Sequence, residues 1–434
     1  MFQYIIRKIF YGFLVLFGVV TAIFILFNIK PGDPSLMLGG QNATDEVIEN
    51  IRKDLGLDLP FHERYLLYLN DLSFISVNDM RDSESNIYMD TSKYDGKELF
   101  SVGDSRSVVF KYPYLGKSYQ NKRNVDEVIM EKLPDTIILA FSAISIATLL
   151  GIFLGIVSAV NKGKFYDTVS FIAAVAGMSA PSFFMAAIIS VVGGYTWSEQ
   201  MNLPVFPLIL AILGLLIGIV RQFVQHKKDV NWKIFLSWSF KGFILGVFVW
   251  VIYVCLYNIF GFDDIPLISN TFTAPGTGLN PSGPLVELND FGDEESHWEN
   301  LILPAITLGI RPLAIVTQLT RSSLLDVLSQ DYIRTARSKG LSLNMVILKH
   351  ALKNALNPVI TAISGWFASL LAGAVFVEQI FDWNGIGNEL VTALKNDDFP
   401  LVMGVTIVIA SFFVLINIVV DVVYGYLDPR VRLK

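Results

Sequence analysis

The sequence is poor in charged residues and almost without cysteine. Asp, Glu, Lys and Arg make up 17% of its 434 residues, whereas a soluble globular domain has about 25%. The single cysteine, Cys255, can form neither an internal disulfide nor a cysteine-based metal site, so it carries no information on the redox compartment. Hydrophobic residues reach 53% and the mean hydropathy is +0.52. This balance excludes an ordinary soluble globule and indicates a membrane protein with several spans.

The sequence motifs of common hydrolases are also missing. Gly116-Lys-Ser118 ends like a phosphate-binding loop, but Lys111 stands where the first glycine of G-x-x-x-x-G-K-[ST] belongs. The histidines lie far apart in loops, without an H-E-x-x-H or serine–histidine arrangement inside an apolar stretch. We therefore predict a chain that hydrolyses no nucleotide, is not an enzyme and binds no metal. The four histidines are His62, His226, His297 and His350.

Eight apolar stretches are long enough to cross a hydrocarbon core of roughly 30 Å, which requires about 20 apolar residues in a helix. They cover residues 10–28, 136–160, 169–196, 208–224, 234–259, 301–320, 358–377 and 401–427. The first belongs to a predicted helix at 1–28 and follows Arg7 and Lys8, as a signal peptide would. Because no Ala-x-Ala cleavage site comes after it, we predict that this helix is retained.

Lysine and arginine are distributed asymmetrically around these stretches. If the amino terminus is cytoplasmic, each of the five inside segments carries Lys or Arg near a membrane edge, as the positive-inside rule requires. These segments are 1–9, 161–167, 221–233, 321–357 and 428–434. We therefore predict a multi-pass protein with both its amino and its carboxyl terminus in the cytoplasm.

The longest outside segment, residues 29–135, is large enough to fold on its own surface. Leu55-Gly-Leu-Asp-Leu-Pro60 predicts a turn, Tyr65-Leu-Leu-Tyr68 a short amphipathic helix, and Ser107-Val-Val-Phe110 a strand. Docking of an extracytoplasmic partner is one use for such a segment. An addition to the surface without that role is the alternative.

A charged segment with a central glycine lies between the sixth and seventh stretches, at residues 331–350. Ser329 is predicted to cap a first helix and Gly340 to end it, while Ser342 can cap a second helix. Asp331 complements the positive end of the first helix dipole. Two short helices with a bend between them would suit a cytoplasmic partner that grips the segment. An ordinary basic inside loop is the alternative.

Short motifs recur along the chain in a particular order and spacing. They are Pro31-Gly-Asp-Pro34, Leu55-Gly-Leu-Asp58, Leu133-Pro-Asp-Thr136, Gly177-Met-Ser-Ala-Pro-Ser-Phe183, Leu303-Pro-Ala-Ile-Thr-Leu308, Arg321-Ser-Ser, Asp331-Tyr-Ile-Arg-Thr-Ala-Arg-Ser-Lys-Gly340, Phe381-Asp-Trp-Asn-Gly-Ile-Gly387 and Asp428-Pro-Arg430. Together they resemble the B-type permease subunit of the dipeptide, oligopeptide and nickel family of ABC importers. This resemblance covers most of the chain.

The resemblance implies an all-α polytopic membrane protein, the transmembrane domain of a type I ABC importer. Its members usually have six spans. The two additional apolar stretches, 208–224 and 234–259, would form an inserted hairpin at 208–259, which gives about eight spans here. The segment 29–135 would then be an enlarged extracytoplasmic segment. Residues 136–434 would form the permease core, with a cytoplasmic coupling loop at 321–357.

The same resemblance implies a function and a set of partners. The chain would be the permease subunit of an ATP-driven importer, for peptides, in the bacterial inner membrane. Its expected partners are the lipid bilayer, a homologous second permease, an extracytoplasmic solute-binding protein and two ABC ATPases that bind ATP and Mg, while this chain holds no cofactor and binds no nucleic acid. The alternatives are a secondary transporter driven by an ion gradient and a purely structural scaffold. The transporter predicts paired repeats and discontinuous helices with buried acidic ion sites, and the sequence shows neither.

In the family that the chain resembles, the coupling loop docks on an ATPase subunit. The general importer pattern, Glu-Ala-Ala followed after three residues by Gly, is replaced here by Arg-Thr-Ala and Gly340. A small Ala336 allows close approach of helices and Gly340 allows a bend. The residues predicted to form the coupling contact are Asp331, Arg334, Thr335, Ala336, Arg337, Gly340 and His350.

Arg311, Glu378, Phe381 and Trp383 are candidates for the pathway or its gate. A charge near the middle of the bilayer costs about 2.5–3.5 kcal/mol on insertion scales, so Arg311 should face a cavity or a partner. It either attracts the anionic end of a peptide or pairs with an acidic residue of the second permease. Glu378 either anchors the segment 381–394 across the pathway or is an interfacial carboxylate without a special role.

Overall fold

The chain folds into long apolar helices with small β-sheets in the segments between them. The computed structural model describes residues 2–29, 35, 44–54, 56–82, 85–90, 94–198, 201–225, 232–260, 271–274, 277–289 and 291–427. Three features singled out in the sequence lie outside these residues: Pro31-Gly-Asp-Pro34, the centre of the basic inside segment 221–233 (residues 226–231), and Asp428-Pro-Arg430.

The elements follow one another in this order. The first half contains α1 (Phe2–Ile29), α2 (Asp45–Asp54), α3 (Phe61–Leu72), β1 (Ile75–Asp79), β2 (Gly96–Val102), β3 (Arg106–Lys111), α4 (Val125–Val160), α5 (Phe165–Ser179), α6 (Ser182–Ile189) and a π-helical turn (Ser190–Thr196). The second half contains β4 (Met201–Pro204), α7 (Val205–Gln225), α8 (Trp232–Phe260), β5 (Thr271–Ala274), β6 (Val286–Leu288), β7 (Glu294–Ser296), α9 (Ile302–Leu328), α10 (Asp331–Ser338), α11 (Leu343–Met345), a second π-helical turn (Val346–Ala351), α12 (Leu352–Ala355), α13 (Asn357–Gly373), α14 (Val375–Phe381), α15 (Ile386–Lys395) and α16 (Phe399–Leu427).

Four helical stretches in the described residues are long and apolar enough to cross a membrane. They are Tyr4–Asn28, Val125–Val160, Trp298–Leu328 and Phe399–Val420. A bent pair of helices would be a fifth, and α7 and α8 contain shorter apolar stretches, Ile209–Ile219 and Leu236–Ile252. The number of eight spans therefore stays a prediction.

The third predicted span, 169–196, is not one continuous helix. Its two halves, α5 and the stretch that starts with α6, meet at an angle of 108°. The break falls at Ala180, which is extended with φ −75° and ψ 133°, just before Pro181. Proline lacks an N–H and pushes the residue before it out of the helical region, which explains the break.

Two helices extend beyond the stretches predicted for them. α4 begins at Val125, within the segment predicted as 29–135, because apolar residues continue at helical spacing before Thr136 and pack against α16. The buried residues of this extension are Val125, Val128, Ile129 and Leu133. At the other end of the core, α9 continues past Thr320 to Leu328. The permease core is thus longer at both ends than hydropathy indicates.

Helices α4 and α9 form the centre of this core, and small residues allow their backbones to approach closely. A Cβ atom added to Gly155 would lie 2.5 Å from Thr320 Cβ, and one added to Gly151 would lie 2.7 Å from Val316 Cγ1. No side chain larger than hydrogen fits at such distances. Gly151 and Gly155, spaced as Gly-x-x-x-Gly, therefore allow α4 and α9 to pack closely.

Residues Val191–Pro281 form a compact unit distinct from the rest of the described chain. Within it, α7 and α8 pack closely at Gly214 and Gly242, where an added Cβ would collide with the backbone of the facing helix. Strands β4 and β5 pair antiparallel. The predicted inserted hairpin, 208–259, lies inside this unit.

The segment between α1 and α4 has the predicted turn, helix and strand. The turn carries Gly56 at φ +62°, α3 includes Tyr65, and β3 is the central strand of an antiparallel sheet with the order β1-β3-β2. Phe24 of α1 anchors this segment, because its ring lies 5.2 Å from that of Tyr65 and 5.3 Å from that of Tyr68.

Candidate functional site

A buried carboxylate organises one end of the core. Glu378 lies on α14 just after the seventh predicted stretch and is 0% exposed. The chain turns back after α14 through Asp382, in the left-handed region at φ 50°, and then forms α15. The Glu378 Oε2 atom accepts hydrogen bonds from the N–H groups of Gly387 at 2.7 Å and Asn388 at 3.0 Å.

These donors belong to the first turn of α15, whose N–H groups have no partner inside the helix. A negative charge there also interacts favourably with the helix dipole. Glu378 therefore does for α15 what a capping side chain does, but from a different helix. Burial raises the pKa of the Glu378 carboxyl, and the hydrogen bonds from Thr136, Asn388 and Gly387 oppose that rise.

Thr136 of α4 completes the arrangement. Its hydroxyl accepts from the Ile386 N–H at 2.9 Å and donates to Glu378 Oε1 at 2.8 Å. Thr136 is itself 0% exposed. The N–H groups of Gly387 and Asn388 thus bond to Glu378 directly, and that of Ile386 does so through the Thr136 hydroxyl. We call Glu378, Thr136 and the N–H groups of residues 386–388 the carboxylate lock.

The other gate candidates pack beside this lock. Phe381 and Trp383 are almost wholly buried, and the Trp383 Nε1 atom donates to the Asp135 carbonyl at 3.0 Å. The Lys132 ammonium donates to Asn384 Oδ1 at 2.7 Å. Two motifs about 250 residues apart in the chain, Leu133-Pro-Asp-Thr136 and Phe381-Asp-Trp-Asn-Gly-Ile-Gly387, therefore form one structure.

Glycine is required where these motifs meet. A Cβ added to Gly385 would lie 2.5 Å from the carboxyl carbon of Glu378 and 2.5 Å from Thr136 Oγ1. The anchoring role that the sequence suggested for Glu378 thus has a geometric basis: the carboxylate holds the segment that begins at Phe381. Among the described residues, no group of three or more His, Cys, Asp or Glu side chains could hold a metal ion.

The opposite end contains the two short helices predicted at residues 331–350, which we call the coupling segment. α10 ends before Gly340, which has φ +78°, and Ser342 Oγ accepts from the Met345 N–H at 3.5 Å. The predicted break and second cap are therefore present. The predicted cap by Ser329 is wrong, because its hydroxyl donates to the Asp326 carbonyl at 2.7 Å. Since α9 continues to Leu328, Ser329 ends that helix instead of starting α10.

The underside of the coupling segment is apolar and buried. Ala336 is 7% exposed and Ile333 is fully buried, as expected for close helix approach. Both belong to a cluster with the ends of α4 and α9, which we call the inner cluster. Its buried members are Ala159, Leu324, Ile333, Ala336, Val346, Ile347, Ala351 and Ala355.

The outer surface of the coupling segment is charged and exposed. Arg334, Thr335, Arg337 and Lys339 all face outward, and Asp331 forms one ion pair, with Arg334 at 3.4 Å. That pair contributes little to stability because its side chains are 95% and 77% exposed. His350 is half-buried in the π-helical turn. Exposed apolar side chains adjoin these charges: Leu341, Leu343, Met345 and Leu348.

Such a surface, charged and apolar side by side over a rigid apolar base, is suited to a protein partner. Arg311 belongs to neither end. It is exposed on α9 beside the buried Pro312, and no ion pair links it to another described residue. Both interpretations of Arg311 given above place its counterpart outside this chain.

Sequence reasoning also missed other buried carboxylates, two of which join distant parts of the chain. Asp398, 1% exposed, accepts hydrogen bonds from the Ser118 hydroxyl and from the Tyr119 N–H at 3.0 Å. Ser118 is the last residue of the motif that superficially resembles a phosphate loop, and its hydroxyl serves a carboxylate instead. Asp167, 5% exposed, forms an ion pair with Arg321. A helix-start signal was present at Asp398, before an apolar run, but nothing local indicated its partner Ser118 or the pairing of Asp167 with Arg321.

The bundle of apolar helices, the charged segment on an apolar base and the locked turn at the other end define the membrane-embedded permease of a transport system. Comparison with known proteins agrees with this class. Residues 151–433 match the family described as "Binding-protein-dependent transport system inner membrane component", and residues 1–86 match the corresponding N-terminal family. The chain belongs to this family.

The similar proteins are more specific. The chain is 29% identical over 437 residues to the dipeptide transport system permease protein DppB of Alkalihalophilus pseudofirmus, covering 100% of both chains. It is 30% identical over 435 residues to DppB of Escherichia coli K12, again covering 100% of both. A third relative is the probable D,D-dipeptide transport system permease protein DdpB of Escherichia coli K12, with 32% identity over 418 residues, 96% of this chain and 94% of the relative.

These findings confirm the resemblance drawn from the motifs. The chain is a B-type permease subunit of the ABC importer family to which the peptide permeases belong. They also confirm the fold class, the transmembrane domain of a type I importer, and do not favour an ion-gradient-driven transporter.

Proposed function

We propose that this chain forms half of a peptide translocation pathway in the bacterial inner membrane. The other half is a homologous second permease. An extracytoplasmic solute-binding protein delivers the peptide, and two ABC ATPases, which bind ATP and Mg, supply the energy. The names of the relatives, dipeptide permeases that match over almost their full lengths, support peptides as the substrate class.

The coupling segment is the observation that carries this proposal. The buried residues of α10 pack directly against the ends of α4 and α9 in the inner cluster. A movement of α10 is therefore passed to those helices by contact and not through a flexible loop. The outer face of the coupling segment presents Arg334, Arg337 and Lys339 to a partner. Arginine suits such contacts because its guanidinium pairs with carboxylates in a fixed geometry. ATP hydrolysis itself belongs to the partner subunits.

The carboxylate lock has the complementary role at the other end. It holds Phe381, Trp383 and α15 against α4, so this part of the chain moves as one body with the helix that the coupling segment contacts. Transport follows alternating access. Closure of the ATPases moves the coupling segment, and the pathway opens to one side at a time.

The basic residues around the spans support cytoplasmic termini. In a chain whose Cys255 is replaced by serine, a cysteine introduced at Lys228 should be protected from a membrane-impermeant reagent in intact cells, and one at Ser282 should react. The reverse pattern would contradict the proposed orientation.

Uptake by the reconstituted complex tests the function. The chain, its second permease and its ATPases are placed in liposomes with the binding protein outside and ATP inside, and a labelled dipeptide is added. We expect accumulation that requires ATP and persists when an ionophore collapses ion gradients. Accumulation that needs a gradient but no ATP would overturn the proposal. A panel of dipeptides, tripeptides and nickel chelates then defines the substrate, with the binding protein omitted as the control.

A further inference from the structure

We propose that Asp167 and Arg321 are positioning residues that make α5 move with the coupling segment. This inference rests on the proposed function, because it concerns how motion of that segment reaches the rest of the core. We call this pair the clamp. It joins residues 154 positions apart in the chain.

The clamp has the geometry of a strong interaction. Arg321 Nε lies 2.6 Å from Asp167 Oδ1, and Arg321 Nη2 lies 2.9 Å from Oδ2. This two-point contact fixes the orientation of the two side chains as well as their distance, which a single-point ion pair does not. Asp167 is only 5% exposed. A pair held this way transmits displacement in more than one direction.

Two more donors fix the carboxylate to the chain around it. Ser158 Oγ, near the end of α4, donates to Asp167 Oδ1 at 2.5 Å, and the Gly163 N–H, in the turn before α5, donates to Oδ2 at 2.8 Å. Gly163 has φ +73°, a conformation that glycine adopts without strain. One carboxylate therefore ties together the end of α4, the start of α5 and α9.

The clamp lies beside the apolar base of the coupling segment. Ser158 precedes Ala159, and Arg321 is followed one turn later by Leu324, both buried in the inner cluster. That cluster includes residues of α4 and α9 but, in the described part of the chain, no buried residue of α5. α5 also packs along α9, where Gly177 lies against Ile310, and Asp167 adds a polar contact at the end of the core that holds the coupling segment.

The position of α5 in the fold gives this link a consequence. α5 leads through the bend at Pro181 into α6, which packs against α14, the helix that carries Glu378. Packed elements therefore run continuously from the coupling segment, through the clamp, to the carboxylate lock. The effect of this route is measured as coupling between ATP hydrolysis and uptake.

The test is a double-mutant cycle on the complete reconstituted transporter with Asp167→Asn, Arg321→Gln and both changes together. For each variant, assembly yield, melting temperature, ATP hydrolysis and uptake of a labelled dipeptide are measured. We expect hydrolysis to stay within about twofold and uptake to fall about tenfold, within the usual range of coupling between sites. The double variant should be no worse than either single variant, because both remove the same contact.

Arg321→Lys keeps the charge but offers only a single-point contact, so its ATP cost per peptide should lie between wild type and Arg321→Gln. If Asp167→Asn does not assemble, the comparison of Arg321→Lys with Arg321→Gln still tests the clamp. The matched control is Arg123→Gln, which removes an Arg–carboxylate pair at the other end of α4, 2.9 Å from Glu131 but with both side chains about half exposed. It should change nothing.

Two results would overturn the clamp. One is a fall in yield and melting temperature with ATP per transported peptide unchanged, which is the behaviour of a merely structural tether. The other is wild-type behaviour in every measurement. Failure of the proposed function would look different, since the wild-type complex would then take up no peptide in an ATP-dependent manner.

Discussion

The two ends of the core handle charge in opposite ways. At the carboxylate lock, Glu378 is fully buried and its oxygens accept from Thr136, Gly387 and Asn388 of the same chain. On the coupling segment, Arg334 and Arg337 are exposed, and the one ion pair there is loose. The polar groups of the lock are satisfied within one chain, whereas the charges of the coupling segment stay exposed and, under the proposed function, await a partner.

The physical reason lies in desolvation. A buried charge must find its hydrogen bonds inside the fold, or it costs more free energy than the fold can supply. An exposed charge stays hydrated and costs nothing until a partner arrives. We therefore expect substitutions at the lock to act on the chain itself and substitutions on the outer face of the coupling segment to act on assembly.

The largest effect should come from Ala336→Asp, which breaks the comparison by placing a charge in the apolar base of the coupling segment. A carboxylate in the inner cluster has no partner, at a cost of more than about 3 kcal/mol. We expect membrane insertion to persist and ATP-dependent uptake to be lost, measured by immunoblot of membranes and by labelled-peptide uptake. Ala336→Gly is the matched control and should retain most uptake. Normal uptake by Ala336→Asp would contradict the coupling assignment.

Next in size is Glu378→Ala, which opens the lock. The N–H groups of Gly387 and Asn388 lose their acceptor, at about 1–3 kcal/mol for each buried unsatisfied group. We expect uptake to fall strongly and residues 381–395 to become accessible to protease, while the coupling segment still binds the ATPases. Thr136→Val should have the same effect to a smaller extent, and Thr136→Ser, which keeps the hydroxyl, should have none. Protection equal to wild type in Glu378→Ala would mean that packing alone holds α15.

A smaller effect is expected for Arg334→Gln combined with Arg337→Gln. Both side chains are exposed, so the melting temperature of the isolated permease should not change. Affinity for the ATPases should fall by up to roughly tenfold, and the difference from wild type should shrink at high salt. Co-purification across a salt series measures both. A loss of folding stability without loss of affinity would reverse the assignment of this face.

The smallest effect on the chain itself is expected for Arg311→Gln, because Arg311 is exposed and both interpretations place its counterpart outside the chain. If it pairs with an acidic residue of the second permease, the yield of assembled complex falls while uptake per complex is unchanged. If it lines the pathway, yield is normal and uptake of peptides with a free carboxyl terminus falls. We expect the first pattern, since an importer supplied by a binding protein needs no strong substrate site of its own. A variant equal to wild type in both measurements would reject both interpretations.

Local signals in the sequence determined much of this protein. Composition placed it in the membrane, and the motifs placed it in its family. The bend at Gly340, the cap at Ser342 and the burial of Ala336 all followed from residues within a few positions of one another. These features depend on backbone preference and helical spacing, which a single segment carries by itself.

Only the tertiary structure decided which buried carboxylate meets which donor. Glu378 and Thr136 are 242 residues apart, Asp398 and Ser118 280, and Asp167 and Arg321 154. Hydropathy gives no partner for a polar residue. It also missed the start of α4, because Asp126, Glu127, Glu131 and Lys132 lower the hydropathy of its first turns. The partners of the buried carboxylates are set by how the long helices pack side by side, and helix packing depends on small residues and shapes across the whole core, which no local stretch of sequence specifies.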